Sequence, residues 1–233
     1  MRTKHRYISV GLAILVLLIG SAIPSTNAYA FSKYAGVYKD GVNCGVSAYI
    51  RTPNTMPNVS NSGESAWVSS SRDNNERWLQ AGCRYYSAYI TFKSYVEYFD
   101  ASGAYHLNEI GIHLTGASYF YKVEYISDDD TGDKWHAYIG NTEYVSSTLS
   151  PCGLNVQAAA EVHQDNIQMG PFVFSNVKKK NALGVWADIS GNLFSNIPYS
   201  ASGTTSNFTA YGPVIVANKD GSVIRALTIG EMK

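Results

Sequence analysis

A two-residue hydrophobic period runs through most of the sequence after Val42. It is clearest in short segments rich in β-branched and aromatic residues, each bounded by Gly, Asn, Asp, Ser or Pro: residues 46–50, 78–82, 95–99, 119–126 and 135–139. Alternation of this kind predicts strands, because successive side chains of a strand point to opposite faces of a sheet. Helical spacing does not persist for three turns in this part of the sequence. The pattern therefore predicts an all-β fold, an antiparallel sandwich or jelly roll.

Turn residues place two hairpins, residues 123–126 with 134–139 and residues 214–216 with 223–227. The second is indicated by Asp220-Gly221, since Asp-Gly suits the positive φ angles of a tight hairpin. The first contains an Asp cluster at 128–130. Because the spacing of these Asp residues does not fit a Gly-centred calcium loop, we interpret the cluster as a turn, with a metal site as the alternative.

The first thirty residues have the three parts of a secretory signal. They contain a positive start, an almost wholly apolar run at 8–19 and a small-x-small cleavage site at 28–30. A membrane-spanning helix needs about 20 apolar residues, so a retained anchor is the weaker alternative. We predict a signal peptide at 1–30 and a single secreted, monomeric domain at 31–233 that has no membrane contact after signal removal.

Charge in this chain is balanced and sparse. Eighteen Lys and Arg residues stand against eighteen Asp and Glu residues, and charged residues make up 15% of the sequence, compared with about a quarter in an average globular protein. Without a basic field, nucleic acid is excluded as a partner. The Lys cluster at 178–180 is interpreted as a solvated loop.

Three cysteines, Cys44, Cys83 and Cys152, follow the predicted cleavage site. An odd number in an exported chain predicts one bridge and one thiol, or no bridge, and it leaves three pairings open. Their wide spacing, without a neighbouring Cys/His pattern, gives no zinc site. We therefore expect no metal and no cofactor. Cys83 with His163 as a cysteine nucleophile is a minor alternative.

Polar residues on otherwise apolar strands mark a candidate site. By alternation, Gln80 falls on the side of its strand that carries Trp78, and Glu97 falls between two aromatic residues. Glu161 follows a run of small residues, and Ala159 leaves space beside it on the same face. Burying a carboxylate is costly unless something uses it, so both Glu residues are candidate functional groups. An amide and two carboxylates on an aromatic surface predict a groove for an extended polymer.

Around these residues the sequence resembles the glutamic peptidases, or eqolisins, which are secreted acid endopeptidases. The matching motifs occur in the family's order: Val46-Ser47-Ala48, Ser65-Ala66-Trp67-Val68, Leu79-Gln80-Ala81-Gly82, Tyr95-Val96-Glu97-Tyr98-Phe99, Ala160-Glu161 and Phe174-Ser175-Asn176. They cover roughly residues 45–177. The resemblance implies an antiparallel concanavalin-like β sandwich (jelly roll).

The resemblance places the catalytic dyad of that family on Gln80 and Glu161. It places substrate-binding roles on four further residues: Trp67, Tyr95, Glu97 and Phe99. In the implied mechanism Glu161 takes a proton from water and later returns it to the leaving amine, while the Gln80 amide orients the water and donates to the oxyanion. The implied substrate is a polypeptide in an open groove. An acidic optimum is implied, because one carboxyl group must be ionised first and protonated later.

The sequence departs from the family pattern at four places. Ser69-Ser70-Ser71 stands where the family has Gly-Ile-Asp, and Arg84 stands where it has an Asp. Val162 replaces the Trp that follows the catalytic Glu, and Tyr95 replaces another Trp. These positions adjoin the dyad or its strands, so they bear on substrate binding and activity.

Two other functions would use the same strands. A jelly-roll glycosidase would use Glu97 and Glu161 as a carboxylate pair, about 5–5.5 Å apart in a retaining enzyme and about 6.5–9.5 Å apart in an inverting one. A sandwich that binds carbohydrate or peptide without catalysis needs only the aromatic surface. A serine hydrolase is not indicated, because the sequence has no G-x-S-x-G motif.

Overall fold

The computed structural model describes residues 33–55, 63–71, 77–86, 91–100, 102–127, 134–147, 152, 154–162, 170–196, 199–212, 214–217 and 223–227. Every regular element in these ranges is a strand: β1 (Lys33–Arg51), β2 (Gly63–Ser71), β3 (Trp78–Tyr86), β4 (Phe92–Phe99), β5 (Tyr105–His113), β6 (Ser118–Ile126), β7 (Lys134–Ile139), β8 (Thr142–Ser147), β9 (Leu154–Val162), β10 (Phe172–Asn181), β11 (Trp186–Asp188), β12 (Asn192–Ser195), β13 (Ser200–Thr204), β14 (Asn207–Tyr211), β15 (Val214–Ala217) and β16 (Val223–Leu227). No helix among the described residues is long and apolar enough to cross a membrane. The signal peptide predicted at 1–30 lies outside these ranges and stays a prediction.

Strand β1 belongs to both layers of the fold because its two halves pair with different strands. Residues 33–39 pair with β9, and part of this half also pairs with β12. Residues 45–51 pair with β6 and β10. From β9 the first layer continues through β2, β3 and β4 to β5. The second layer extends from β1 in two directions, through β6 and β7 to β8 and through β10 and β14 to β13. All pairs are antiparallel, which confirms the predicted concanavalin-like β sandwich.

The core lies between the layers and takes alternate residues from each strand. In β9 every second residue from Val156 to Val162 is fully buried, and in β1 the same is true of Val46, Ala48 and Ile50. Removing a side chain of the size of Val or Ile from water contributes about 1.5–3 kcal/mol. The alternation fixes which residues of these strands remain for the opposite face.

Both predicted hairpins are present. Strand β6 pairs with β7, and β15 pairs with β16 as a separate two-stranded sheet. The Asp cluster at 128–130 and the Asp220-Gly221 turn fall outside the described residues, so their interpretation as turns stays a prediction.

The interpretation of the Lys cluster at 178–180 as a solvated loop is wrong. These residues lie in β10, between β1 on one side and β11 on the other. The Lys180 ammonium contacts a carboxylate oxygen of Glu124 at 2.9 Å and donates to the carbonyl oxygen of Tyr125 at 3.0 Å. A run of three Lys residues shows no alternation of apolar and polar residues, so the sequence alone does not identify it as part of a strand. Pairing with β1 and β11 places these residues in the sheet.

The cysteines form one bridge and leave one thiol, as one of the two sequence expectations has it. The bridge joins Cys44 to Cys152, and the thiol of Cys83 is buried. Cys44 lies where β1 passes from one layer to the other, and Cys152 precedes β9. The bridge closes a separation of 108 residues, and such a long loop restricts the unfolded chain strongly.

Glu64 and His113 are two of the ionisable side chains that are buried within the fold. Glu64 is 1% exposed; one of its oxygens accepts a hydrogen bond from the Gly170 amide at 2.8 Å, and the other has no partner among the described residues. Burial raises the pKa of Glu64 to about 8. His113 is fully buried between the Tyr121 hydroxyl and the Ala117 carbonyl, and burial lowers its pKa to about 4.

Glu64→Gln is expected to flatten the pH dependence of stability. The folded chain keeps the Glu64 proton to about pH 8, whereas the unfolded chain releases it near 4.5. The free energy of unfolding of the wild type therefore falls as pH rises through this interval, by up to about 1.4 kcal/mol per pH unit. The difference in slope between the wild type and Glu64→Gln in urea titrations isolates this effect, because His113 contributes equally to both proteins.

Asp188→Asn is the matched control, since Asp188 is an exposed carboxylate of β11. This variant should keep the slope of the wild type. An unchanged slope in Glu64→Gln would contradict the assignment.

Candidate active site

Neighbouring strands of the first layer align the predicted site residues on one face. In the register of β9, β2 and β3, Trp67 lies opposite both Ala159 and Gly82. Gln80 lies opposite Glu97 of β4. The positions between them, such as Ala66 and Ala81, are fully buried in the core. We define the polar face as the surface of this layer turned away from the core, which carries Glu161, Trp67, Gln80, Tyr95 and Glu97.

Gln80 is held by two neighbours on β4. Its amide nitrogen donates to the Tyr95 hydroxyl at 3.1 Å and to a carboxylate oxygen of Glu97 at 3.0 Å. The second carboxylate oxygen of Glu97 accepts from the indole nitrogen of Trp78 at 3.0 Å. A carboxyl oxygen of Glu97 accepts from the amide nitrogen, so Glu97 fixes the orientation of the amide. The predicted residues Gln80, Tyr95 and Glu97 are thus in direct contact.

Glu161 reaches the same face from β9. Its carboxylate accepts a hydrogen bond from the indole nitrogen of Trp67 at 3.4 Å. The Trp67 ring packs in a small apolar cluster with Tyr95 and Ala159. Gln80 and Glu161 share no hydrogen bond, but each contacts one member of the Trp67 and Tyr95 pair. The structure therefore brings both predicted dyad residues to one face and links them through two aromatic rings.

The acids of the polar face influence one another. Burial raises the pKa of Glu97, and the charge of Glu161 raises it further, against hydrogen bonds from Trp78 and Gln80 that lower it. Burial also raises the pKa of Tyr95 well above its usual range, with the charges of Glu97 and Glu161 adding to the effect. Glu161 and Glu97 therefore lie within electrostatic reach of each other.

Two glycines, Gly36 and Gly82, lie on the polar face on either side of Trp67 and place no side chain there. A Cβ atom at Gly82 would lie 2.7 Å from the Trp67 Cα atom, and one at Gly36 of β1 would lie 2.6 Å from the Ala159 Cα atom. Both distances are too short for real contacts, so neither position accepts a side chain without a backbone shift. Gly36 was not among the predicted site residues, because its place depends on the pairing of β1 with β9.

Arg84 brings a positive charge to this face. Its guanidinium carbon lies 5.7 Å from the centre of the Tyr95 ring, and its Nε atom lies 3.4 Å from a carboxylate oxygen of Glu109. In the register it is separated from Glu161 only by Ser65. The sequence identified Arg84 as a departure from the family pattern, and the structure places it beside Tyr95.

Aromatic rings continue the polar face beyond Glu97. Phe99 packs edge-on against Trp78, with ring centres 4.7 Å apart, and against Tyr105, with centres 5.7 Å apart. Tyr105 is 48% exposed. The substrate-binding role predicted for Phe99 stays a prediction, and Trp78 joins it as a residue that holds Glu97. Among the described residues no group of three or more His, Cys, Asp or Glu side chains could hold a metal ion.

Comparison with solved structures gives clear matches. The crystal structure of scytalido-glutamic peptidase with a peptide-based transition-state analogue matches with a TM-score of 0.55 and 16% identity, over 77% of this chain and 97% of that one. SCP-B, a member of the eqolisin family of peptidases in complex with the tripeptide Ala-Ile-His, matches with a TM-score of 0.54 and 17% identity over the same shares. At such identities the similarity establishes the fold alone. No family model and no curated protein matches the sequence.

Trp78→Phe is expected to raise the pKa of Glu97 further. The substitution keeps a ring but removes the indole N–H that favours the ionised carboxylate. A carbon-13 NMR titration of the side-chain carboxyl groups measures the change, with Glu97→Gln used to assign the signal. Trp186→Phe, in β11, should leave the titration unchanged. A Glu97 pKa that stays constant or falls in Trp78→Phe would contradict the described hydrogen bond.

Proposed function

We propose that this protein is an exported acid endopeptidase that hydrolyses polypeptides with Glu161 and Gln80. The observation that carries the proposal is the convergence of both residues on the polar face, with Glu161 bonded to Trp67 and Gln80 bonded to Tyr95. Trp67 and Tyr95 pack together, so the two groups are positioned by one cluster. The sandwich fold shared with two peptidases supports the proposal, and the peptide ligands named for those proteins suggest the substrate class.

In the proposed reaction Glu161 acts as general base and then as general acid. Its carboxylate takes a proton from water while the water oxygen attacks the carbonyl carbon of the scissile bond. The C–N bond then breaks, and the leaving amine takes that proton from Glu161. Gln80 orients the water through its carbonyl oxygen, because its nitrogen already donates to Tyr95 and Glu97.

The surroundings of Glu161 favour peptide hydrolysis at acidic pH. Burial and the charge of Glu161 raise the pKa of Glu97, so Glu97 gains a proton at higher pH than an exposed carboxyl group does. Once protonated, it adds no second negative charge near Glu161. Activity is therefore expected to increase from neutral toward acidic pH.

The disulfide between Cys44 and Cys152 is compatible with an oxidising compartment, which supports export after removal of residues 1–30. The substrate is proposed to lie extended over the polar face, and the protein is proposed to act as a monomer without metal or cofactor.

A second candidate is a glycosidase that uses Glu97 and Glu161. It is favoured by one observation, the raised pKa of Glu97 under the influence of Glu161, because a carboxyl pair with different proton affinities suits glycosidic hydrolysis. In a glycosidase of this kind, Gln80 would only hold Glu97 in place through its hydrogen bond. A site that binds peptide or carbohydrate without catalysis is the outcome if neither substrate is cleaved.

Glu161→Gln is expected to lower peptidase activity by about 100- to 10,000-fold, since it removes the only proposed proton carrier. Gln80→Ala should also lose most activity. The full chain is expressed in a secreting host, and the secreted product is assayed on denatured protein and on xylan from about pH 3 to 7. Glu143→Gln, in β8 of the second layer, is the control and should keep full activity.

Each outcome points to one function. Peptide cleavage that survives Glu161→Gln contradicts the proposal. Cleavage of xylan that is lost in both Glu97→Gln and Glu161→Gln but not in Gln80→Ala supports the glycosidase. Binding of either polymer without cleavage by the wild type supports a non-catalytic module.

A further inference from the structure

Both N–H groups of the Gln80 amide already donate hydrogen bonds, so neither is free to bind a reaction intermediate. A Gln side chain carries two N–H donors. One is donated to the Tyr95 hydroxyl and the other to Glu97, at 3.1 and 3.0 Å. Donation to an oxyanion would require one of these bonds to break. The peptidase proposed above therefore needs another donor for the charge that develops on the carbonyl oxygen.

The Tyr95 hydroxyl has the donor that Gln80 lacks. A phenol can accept one hydrogen bond and donate another. Tyr95 accepts from Gln80, and no described residue accepts the proton of its own hydroxyl group. Tyr95 is 2% exposed and belongs to the Trp67 cluster, so its ring is held in place. A donor fixed before the reaction stabilises developing charge without reorganisation.

We propose that the Tyr95 hydroxyl is the oxyanion donor of the proposed peptidase, donating a hydrogen bond to the oxyanion of the tetrahedral intermediate. This inference rests on the proposed function of Glu161. It gives Tyr95 a catalytic role in place of simple substrate binding, and it makes Gln80 the residue that polarises and positions the Tyr95 hydroxyl.

The step balances with the residues described. The water oxygen bonds to the carbonyl carbon, and Glu161 takes the water proton. The π electrons of the C=O bond move to oxygen, and this oxyanion accepts the hydrogen bond from Tyr95, which keeps its proton. The C=O bond then re-forms as the C–N bond breaks, and the amine takes the proton from Glu161.

The electrostatic surroundings suit this role. Burial and two nearby carboxylates raise the pKa of Tyr95 well above its usual range, so the phenol stays protonated at every working pH. Arg84 lies over one face of the ring, with its guanidinium carbon 5.7 Å from the ring centre. This positive charge opposes the effect of the carboxylates on Tyr95 and offsets part of their repulsion of an oxyanion.

Tyr95→Phe tests the inference by removing one oxygen atom. We expect kcat for peptide hydrolysis to fall about 100- to 1000-fold, with KM changed by less than about twofold. Affinity for a peptide with a tetrahedral phosphinate in place of the scissile bond should fall in proportion to kcat. Affinity for an uncleaved substrate peptide, measured in the Glu161→Gln background, should stay constant. Tyr85→Phe is the matched control, because Tyr85 lies on the same strand as Gln80 but packs into the core.

The outcomes separate this inference from the proposed function. If Glu161→Gln abolishes cleavage while Tyr95→Phe keeps kcat within about threefold of the wild type, the oxyanion role is wrong and the peptidase assignment stands. An equal loss of affinity for the phosphinate and for the uncleaved peptide also overturns it, because it indicates a role in ground-state binding. Thermal unfolding of each variant verifies that the compared proteins are folded.

Discussion

The register of β9 is the constraint on which the proposed site depends. Its residues alternate between a series that packs in the main core, such as Ala158 and Ala160, and a series on the polar face that includes Ala159 and Glu161. A slip of one residue would exchange the two series and move the Glu161 carboxylate into hydrocarbon. Burial of the small and β-branched residues therefore holds the chemistry in place, although none of them takes part in it.

Pairing with a strand on each side of β9 fixes the register of β9. Strand β1 lies along one edge and β2 along the other, each for most of the length of β9. The disulfide between Cys44 and Cys152 joins β1 to the approach of β9. Gly36 and Gly82 then allow the neighbouring strands to approach Ala159 and Trp67 without an intervening side chain. Scaffold and site are thus built from the same contacts.

The sequence allowed the strands, both hairpins and the face of each candidate residue to be predicted, because a two-residue period determines them locally. It could not indicate that Trp78 bonds to Glu97, that Arg84 lies over Tyr95, or that Gly36 adjoins Ala159. Each of these contacts depends on which strands are neighbours and in what register. The interpretation of the Lys cluster at 178–180 as a loop is wrong for the same reason, since its partners lie on β1 and β11.

A crystal structure of the protein with a peptide phosphinate tests the central claim most directly. The account predicts the tetrahedral phosphorus on the polar face, with one oxygen in hydrogen-bond contact with the Tyr95 hydroxyl and the other with the Glu161 carboxyl group. Binding at any other surface, or a complex in which packed side chains separate Glu161 from Gln80 and Tyr95, would contradict it.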